Sequence, residues 1–202
     1  MKPRRESRSS IGARRNPETE RAILDAAEAL ILEGGGYAAL SMDAVARRAR
    51  AGKATLYKWW PTRARLLLAI YARRKAALDL ADTGSLKGDL TAFFANLFRF
   101  WLHAPHGDLF RLVIAEAQTD PEIMASLRSY AEDRRRDTEV IFIRAGDRGE
   151  LGPGITPTTA ADIVVAVAWS RLLTNRLEDD AGIADIVTHL LAGLTSANGR
   201  SA

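Results

Sequence analysis

Three helix-start signals, spread along the chain, most constrain what this sequence can fold into. Each places an N-cap side chain directly before a proline, at Asn16-Pro17, Asp120-Pro121 and Thr156-Pro157. Proline suits the first helical position because the N–H of that position has no partner within the helix, and the preceding side chain accepts from the N–H groups that follow. Since no segment shows the regular alternation of a strand, the sequence predicts an all-α fold.

Apolar periodicity and turn residues divide the chain into three parts. We predict a polar, basic arm at 1–16, a small helical unit at 17–77 with two short helices within about 40–60, and a larger helical domain at 78–202. Turns are expected at 82–84 and 105–107, and a flexible glycine-rich loop at 146–154. The predicted helices span about 17–33, 42–49, 53–60, 62–81, 86–104, 107–118, 121–146, 157–177 and 180–196.

Charge is distributed unevenly between the two ends of the chain. Residues 1–76 carry 17 Lys or Arg against 7 Asp or Glu, whereas residues 77–202 carry 12 against 18. A basic first third on an acidic remainder favours a polyanionic partner at the N-terminal end. A solvated, charged surface is the alternative.

The composition disfavours enzyme chemistry. The chain has no cysteine, which excludes disulfides and thiol nucleophiles, and we find no catalytic constellation and expect no cofactor. His103 and His106 are three positions apart, but Pro105 lies between them and no third ligand is near, so a loop surface is favoured over a metal site. The basic start is unlike a signal peptide and no apolar run could span a membrane, so we expect a cytoplasmic protein.

The two short helices and the tight turn between them predict a helix-turn-helix. Small residues at the front of the second helix, Ala54 and Thr55, would let its backbone approach base edges closely. Leu56 and Trp60 are four positions apart and are expected to face inward together. The polar donors of this helix are Lys53, Thr55, Tyr57 and Lys58.

The pattern extends to both sides of this helix, at Ser41 to Ala46, Ala49, Lys53 to Trp60, Thr62-Arg63 and Leu66-Leu67. With these residues, the stretch resembles the TetR/AcrR family of bacterial transcriptional repressors. The resemblance covers about 17–77 and implies a three-helix helix-turn-helix domain followed by a larger helical domain for ligand binding and dimerisation. One departure concerns the turn, where Arg50 stands at the usual glycine position, so that either the turn shifts or Arg50 adopts the left-handed conformation.

The resemblance also implies roles for individual side chains on DNA. Phosphate contacts are expected from Ser41, Thr55, Tyr57 and Arg63, and contacts with or beside bases from Lys53, Ala54, Lys58 and Trp59. The alternative for Tyr57 and Trp59 is a place in the core. The basic arm would enter the minor groove or remain a plain tail.

The second domain is expected to form a homodimer and to bind a small-molecule effector. Two long apolar stripes, on the helices at about 157–177 and 180–196, predict a four-helix interface, with packing inside one chain as the alternative. For the effector pocket, as opposed to plain core, we select Phe98, Trp101, Trp169 and Arg171. The run Arg134-Arg135-Arg136 is interpreted as a solvated, ion-paired face.

These features together predict a sequence-specific DNA-binding regulator. We expect a homodimeric repressor that binds a palindromic operator and is released by an effector. An all-helical enzyme and a non-specific DNA-coating protein are the alternatives. Turnover of a small molecule without any effect on DNA would favour the first, and loss of binding in excess random DNA the second.

Overall fold

The computed structural model describes residues 16–34, 40–75, 80–103, 105–177 and 180–195, and the basic arm lies outside these ranges. Within them the secondary structure is helical and no strand occurs, which confirms the predicted all-α class. The helices are α1 (Pro17–Glu33), α2 (Met42–Arg48), α3 (Lys53–Trp59), α4 (Arg63–Lys75), α5 (Leu86–Leu102), α6 (His106–Ala117), α7 (Pro121–Asp147), α8 (Pro157–Leu173) and α9 (Asp180–Leu194).

The three predicted helix starts are confirmed by the hydrogen bonds of their caps. Asn16 accepts from the N–H of Glu18 at 2.9 Å, and Asp120 accepts from that of Glu122 at 2.8 Å. Thr156 accepts from the N–H of Thr159 at 3.2 Å. These side chains satisfy donors that the first helical turn leaves without a partner.

Two predicted helix ends were wrong. The helix that opens near Thr62 was expected to reach residue 81, but Leu80 and Ala81 are not helical and the described helix ends at Lys75. The helix at 157–177 ends at Leu173, because Asn175 adopts the left-handed conformation, with φ of 55°. The N–H of Arg176 then donates to the carbonyl of Arg171 at 2.8 Å and closes the helix.

The predicted turn at 105–107 was also wrong, because His106 and Gly107 belong to α6. The ring of His106 stacks on Phe100 with centroids 4.3 Å apart. A Cβ atom at position 107 would lie 2.6 Å from the carbonyl oxygen of Trp101, so this position accepts only glycine without a backbone shift. A close approach between α5 and α6 therefore explains the glycine that the sequence suggested as a turn residue.

By its contacts the chain divides into two compact units, residues 1–63 and 64–202. The division falls inside α4, earlier than residue 77, where we place the boundary of the DNA-binding domain; that boundary remains a prediction. In the first unit α1 packs against α2, and α2 packs against α3. Its buried side chains include Ile23, Ala27, Ile31, Val45 and Leu56.

The core of the second unit is built around Tyr71. Its ring stacks on Phe110 with centroids 4.4 Å apart, and its hydroxyl accepts from the indole N–H of Trp101 at 2.7 Å. Burial raises the pKa of Tyr71, so the hydroxyl remains protonated. Around this core α7 packs against α6 and α8, and α5 packs against α9.

The segment Arg148-Gly149-Glu150 fixes the end of α7 against the start of α5. Arg148 donates to the buried carboxylate of Asp89 at 3.2 Å, and Glu150 accepts from the N–H of Leu86 at 2.5 Å. Burial alone would raise the pKa of Asp89, but the hydrogen bonds from Thr83 and Arg148 outweigh it and leave that pKa below its ordinary value. The predicted loop at 146–154 is therefore helical at Gly146 and Asp147 and anchored at Glu150.

A Schellman turn with an arginine at its left-handed position joins α2 to α3. Arg50 has φ of 51°, which confirms the second of the two geometries expected for this turn. The N–H of Ala51 donates to Ala46 at 3.0 Å, and that of Arg50 donates to Arg47 at 3.2 Å. Gly52, with φ of −65°, lies in the ordinary extended region and caps α3.

Replacing the strained residue tests this turn. We expect Arg50→Gly to raise the free energy of unfolding by about 1 kcal/mol, since glycine adopts positive φ without a Cβ penalty. Urea unfolding of the full chain measures the change. Arg50→Ala is the matched control: it removes the same charge, keeps the Cβ atom and should give no gain. Equal stabilities of the two variants would contradict the assigned strain.

Candidate nucleic-acid interface

The helix-turn-helix is held by the apolar side of α2 and by the cap of that helix. Val45 and Ala46 are buried, and the Ser41 hydroxyl accepts from the N–H of Ala44 at 3.1 Å. The hydroxyl hydrogen of Ser41 remains available as a donor. An exposed ion pair between Arg48 of α2 and Glu33 of α1, at 2.5 Å, lowers the pKa of Glu33, chiefly through its hydrogen bond.

One side of α3 is buried and the other is exposed. Leu56 is fully buried and Trp60, directly after the helix, is 3% exposed, which confirms that this pair faces inward. Tyr57 is 46% exposed, so it is not a core aromatic. The other exposed residues of the helix are Lys53, Ala54 and Lys58.

Of the remaining predicted contact residues, three are half-buried and Ser41 is exposed. Thr55 and Trp59 lie on α3, and Trp59 meets Trp60 edge to face with ring centroids 5.9 Å apart. Arg63 is the first residue of α4 and is also half-buried. The structure therefore places six of the eight predicted residues on one short helix, with Ser41 and Arg63 at the starts of α2 and α4.

A carboxylate that the sequence analysis did not consider lies beside the front of α3. Asp43 of α2 accepts from the ammonium group of Lys53 at 2.8 Å, and both side chains are more than half exposed. The two residues are ten positions apart and lie on different helices. The three- or four-residue spacing that identifies ion pairs within one helix therefore does not predict this pair. In this structure the ammonium group of Lys53 is engaged by an acid of the same unit.

Three of the four residues expected to line the effector pocket contact other aromatic residues of the second unit. Phe98 and Trp101 are buried and stack with centroids 6.1 Å apart. Trp169 is half-buried and meets Phe110 edge to face at 5.2 Å. Arg171 is half-buried on α8. Their role toward an effector remains a prediction.

A cavity of about 520 Å³ in the second unit has a different set of lining residues. Its apolar lining residues are Leu80, Phe93, Leu97 and Val140, and its polar lining residues are Lys75, Asn96, Arg134, Asp137, Thr138 and Arg144. The expected ion pairs of the 134–136 run are present, at 2.9 Å from Arg134 to Asp137 and 3.4 Å from Arg135 to Glu139. The solvated interpretation was wrong for Arg134, because that side chain is 23% exposed and lines the cavity.

Across the described ranges, none of the helices combines the length and the apolar character needed to cross a membrane. Known proteins resemble the chain in both of its parts. Residues 23–70 match the family described as bacterial regulatory proteins, tetR family, and residues 80–191 match the tetracyclin repressor-like C-terminal domain.

Two curated relatives extend over most of the chain. An uncharacterized HTH-type transcriptional regulator of Bacillus subtilis, YdeS, is 30% identical over 92% of this chain and 94% of its own length. The DNA-binding transcriptional repressor TetR of Mycobacteroides abscessus is 30% identical over 86% of this chain and 93% of its own length.

Solved structures show the same fold. The TetR family transcription regulator SCO0332 superposes with a TM-score of 0.75 at 29% identity, covering 89% of this chain and all of that one. GusR of Salmonella enterica superposes with a TM-score of 0.64 at 20% identity, covering 90% of this chain and 97% of that one. At 20% identity, the similarity to GusR shows a shared fold alone.

The ion pair between Asp43 and Lys53 gives a testable consequence for DNA binding. We expect Asp43→Asn to raise affinity for DNA by about three- to tenfold, since it frees Lys53 and removes a negative charge that repels phosphates. Fluorescence anisotropy with a labelled duplex at fixed salt measures the change. Asp25→Asn, an exposed acid on α1, is the control. A fall in affinity for Asp43→Asn alone would mean that the pair positions Lys53.

Proposed function

This chain belongs to the tetR family of bacterial regulatory proteins, and from that premise we propose that it is a homodimeric repressor released from a palindromic operator by a small-molecule effector. It is a DNA-binding transcriptional regulator of the helix-turn-helix type. Because such a regulator acts where the chromosome lies, we also propose a cytoplasmic location.

The division of α3 into a buried and an exposed side carries the proposal. Leu56 holds the helix against the first unit, while Lys53, Ala54 and Lys58 remain exposed. We assign α3 (Lys53–Trp59) as the recognition helix, which enters the major groove. Lys53 donates to guanine O6 or N7, Ala54 meets a thymine methyl group, and Lys58 and Trp59 lie beside the bases.

Phosphate contacts would fix the register of the recognition helix. Tyr57 is 46% exposed, and Ser41 retains a hydroxyl hydrogen that its capping bond does not use. Thr55 and Arg63 are half-buried, and their hydroxyl and guanidinium groups are both donors suited to phosphate oxygens. Contacts of this kind position the protein, whereas the base contacts specify the sequence.

Dimerisation is proposed through α8 and α9, which correspond to the predicted interface helices at about 157–177 and 180–196. Packing inside one chain accounts for much of their apolar surface, because Val164, Leu172 and Val187 are buried. Apolar surface nevertheless remains exposed on α8, where Ile163 is 40% exposed and Leu173 is 49% exposed. A two-fold axis through this region would present two recognition helices to successive major grooves about 34–36 Å apart.

Effector release requires that the ligand bind one conformation more tightly than the other. The second unit contains a cavity of about 520 Å³, within the size range of small-molecule sites, about 300–1,000 Å³. A ligand there would favour a state in which the spacing of the two recognition helices no longer matches the operator. The free energy by which the ligand shifts this equilibrium cannot exceed the difference between its binding free energies for the two states.

Two substitutions on the recognition helix test the assignment. We expect Lys53→Ala and Tyr57→Ala each to weaken operator binding by about 1–3 kcal/mol, through loss of a base contact and a phosphate contact respectively. Gel-shift titration in the presence of excess random DNA measures the loss. Lys87→Ala removes an exposed lysine of the second unit and should leave binding unchanged. If both α3 variants bound as tightly as the parent chain, α3 would not be the recognition helix.

A further inference from the structure

The cavity in the second unit is lined by both apolar and charged side chains. Phe93 and Leu97 of α5 supply apolar surface, as does Val140 of α7. Lys75 at the end of α4 and Arg134 of α7 add positive charge to the same lining. An occupant that satisfies both kinds of lining residue has an apolar body and a polar, anionic end.

The charges around the cavity do not balance. Arg134 pairs with Asp137 at 2.9 Å. Arg144 lies 3.5 Å from Asp82 and donates to the carbonyl of Ala81 at 3.1 Å. Each arginine therefore has a carboxylate nearby, although Asp82 also lies 3.9 Å from Arg148, whereas Lys75 has no hydrogen bond or ion pair among the described residues. When Asp82 is counted together with the described lining residues, they carry one positive charge in excess.

Lys75 is held in an environment that disfavours its charge. Burial and, to a lesser extent, the neighbouring Arg134 lower the pKa of Lys75 to about 7, although Asp137 acts in the opposite direction. An ammonium group removed from water without an acceptor is costly. A bound anion would supply both the acceptor and the missing counter-charge.

Two further lining residues carry unused donors. The Nε of Arg134 is buried and has no hydrogen-bond partner. The side-chain oxygen of Asn96 accepts from Arg99 at 3.2 Å, which leaves the amide nitrogen of Asn96 available as a donor. The cavity therefore offers donors and one uncompensated cation, the requirements of an acidic ligand group.

We propose that this cavity binds a monoanionic organic acid, with its carboxylate on Lys75 and its apolar body against Phe93 and Leu97. The assignment rests on the proposed function, because it makes this acid the effector class of the regulator. One excess positive charge favours a single carboxylate over a doubly charged phosphate. A cationic ligand would meet three like charges, those of Lys75, Arg134 and Arg144.

Three probes of equal chain length separate charge from apolar burial. Calorimetric titration of the full chain with decanoate, decan-1-ol and decylammonium compares the same apolar body with an anionic, a neutral and a cationic end. We expect decanoate to bind at least about tenfold more tightly than the other two. Binding of the alcohol or the ammonium as tight as that of decanoate, or no decanoate binding at about 1 mM, would overturn the proposal.

Two substitutions with opposite expected signs locate the carboxylate. Lys75→Met should weaken decanoate binding by about tenfold and leave decan-1-ol unchanged. Asp137→Asn, measured at about pH 6 so that Lys75 keeps its proton, should strengthen decanoate binding by removing the competing acid. Arg136→Met is the matched control, because Arg136 is 62% exposed on the same helix and pairs with Asp133 outside the cavity. Unchanged decanoate affinity in both Lys75→Met and Asp137→Asn would overturn the site.

The pH dependence identifies Lys75 as the charge involved. The described charged groups facing it are Arg134, Asp137 and Arg144, and the polar residue from α5 is Asn96, which does not titrate in this range. Because Lys75 loses its proton near neutral pH, decanoate affinity should fall from about pH 6 to about pH 8, and Lys75→Met should abolish the fall. A parent chain with no such fall would contradict the assignment.

Failure of the proposed function would show in a different measurement. Operator binding without any acid depends on the recognition helix and not on this cavity. A chain that binds DNA specifically but does not prefer decanoate refutes the anion site and retains the regulator. A chain that prefers decanoate but selects no DNA sequence refutes the regulator and retains the site.

Discussion

The burial of Leu56 is the interaction on which the proposed function depends. α3 is only seven residues long, and a helix of that length is marginal in water without tertiary contacts. With Leu56 fully buried, and Trp60 nearly so, packing fixes the rotation of the helix about its axis. That rotation decides that Lys53, Ala54, Tyr57 and Lys58 are exposed together. The turn before α3 also orients that helix. Arg50 adopts a strained left-handed conformation, which sets the direction in which the chain enters α3.

Much of the fold could be predicted from local signals. The caps at Asn16, Asp120 and Thr156 involve neighbours in sequence, so the residue types alone place the helix starts. The predictions were wrong where contacts between residues distant in sequence determine the local structure. Gly107 suggests a turn, but its place within α6 follows from its approach to Trp101. The end of α8 depends on Asn175, whose side chain accepts from Arg111 on α6 at 2.9 Å.

The two candidate sites also differ in how far the sequence alone predicts them. α3, the proposed recognition helix, was predicted from a compact stretch of sequence, because small residues, donors and inward-facing apolar residues follow one another within about two helical turns. The cavity was not predicted. Its walls come from α4, α5 and α7, and the ion pairs of α7 have the same spacing whether the arginines face water or a cavity. The pairing of Asp43 with Lys53 also joins two helices, and only the structure shows it.

Selection of bound DNA from a random library tests the central claim most directly, because one measurement gives the half-site, its symmetry and its spacing. For a dimer with one recognition helix in each of two successive major grooves, the enriched sequence should be an inverted repeat with half-site centres about 10 base pairs apart or a multiple of that. Enrichment should survive competition with excess random DNA. A pool without a common sequence, or with a single asymmetric site, would contradict the account.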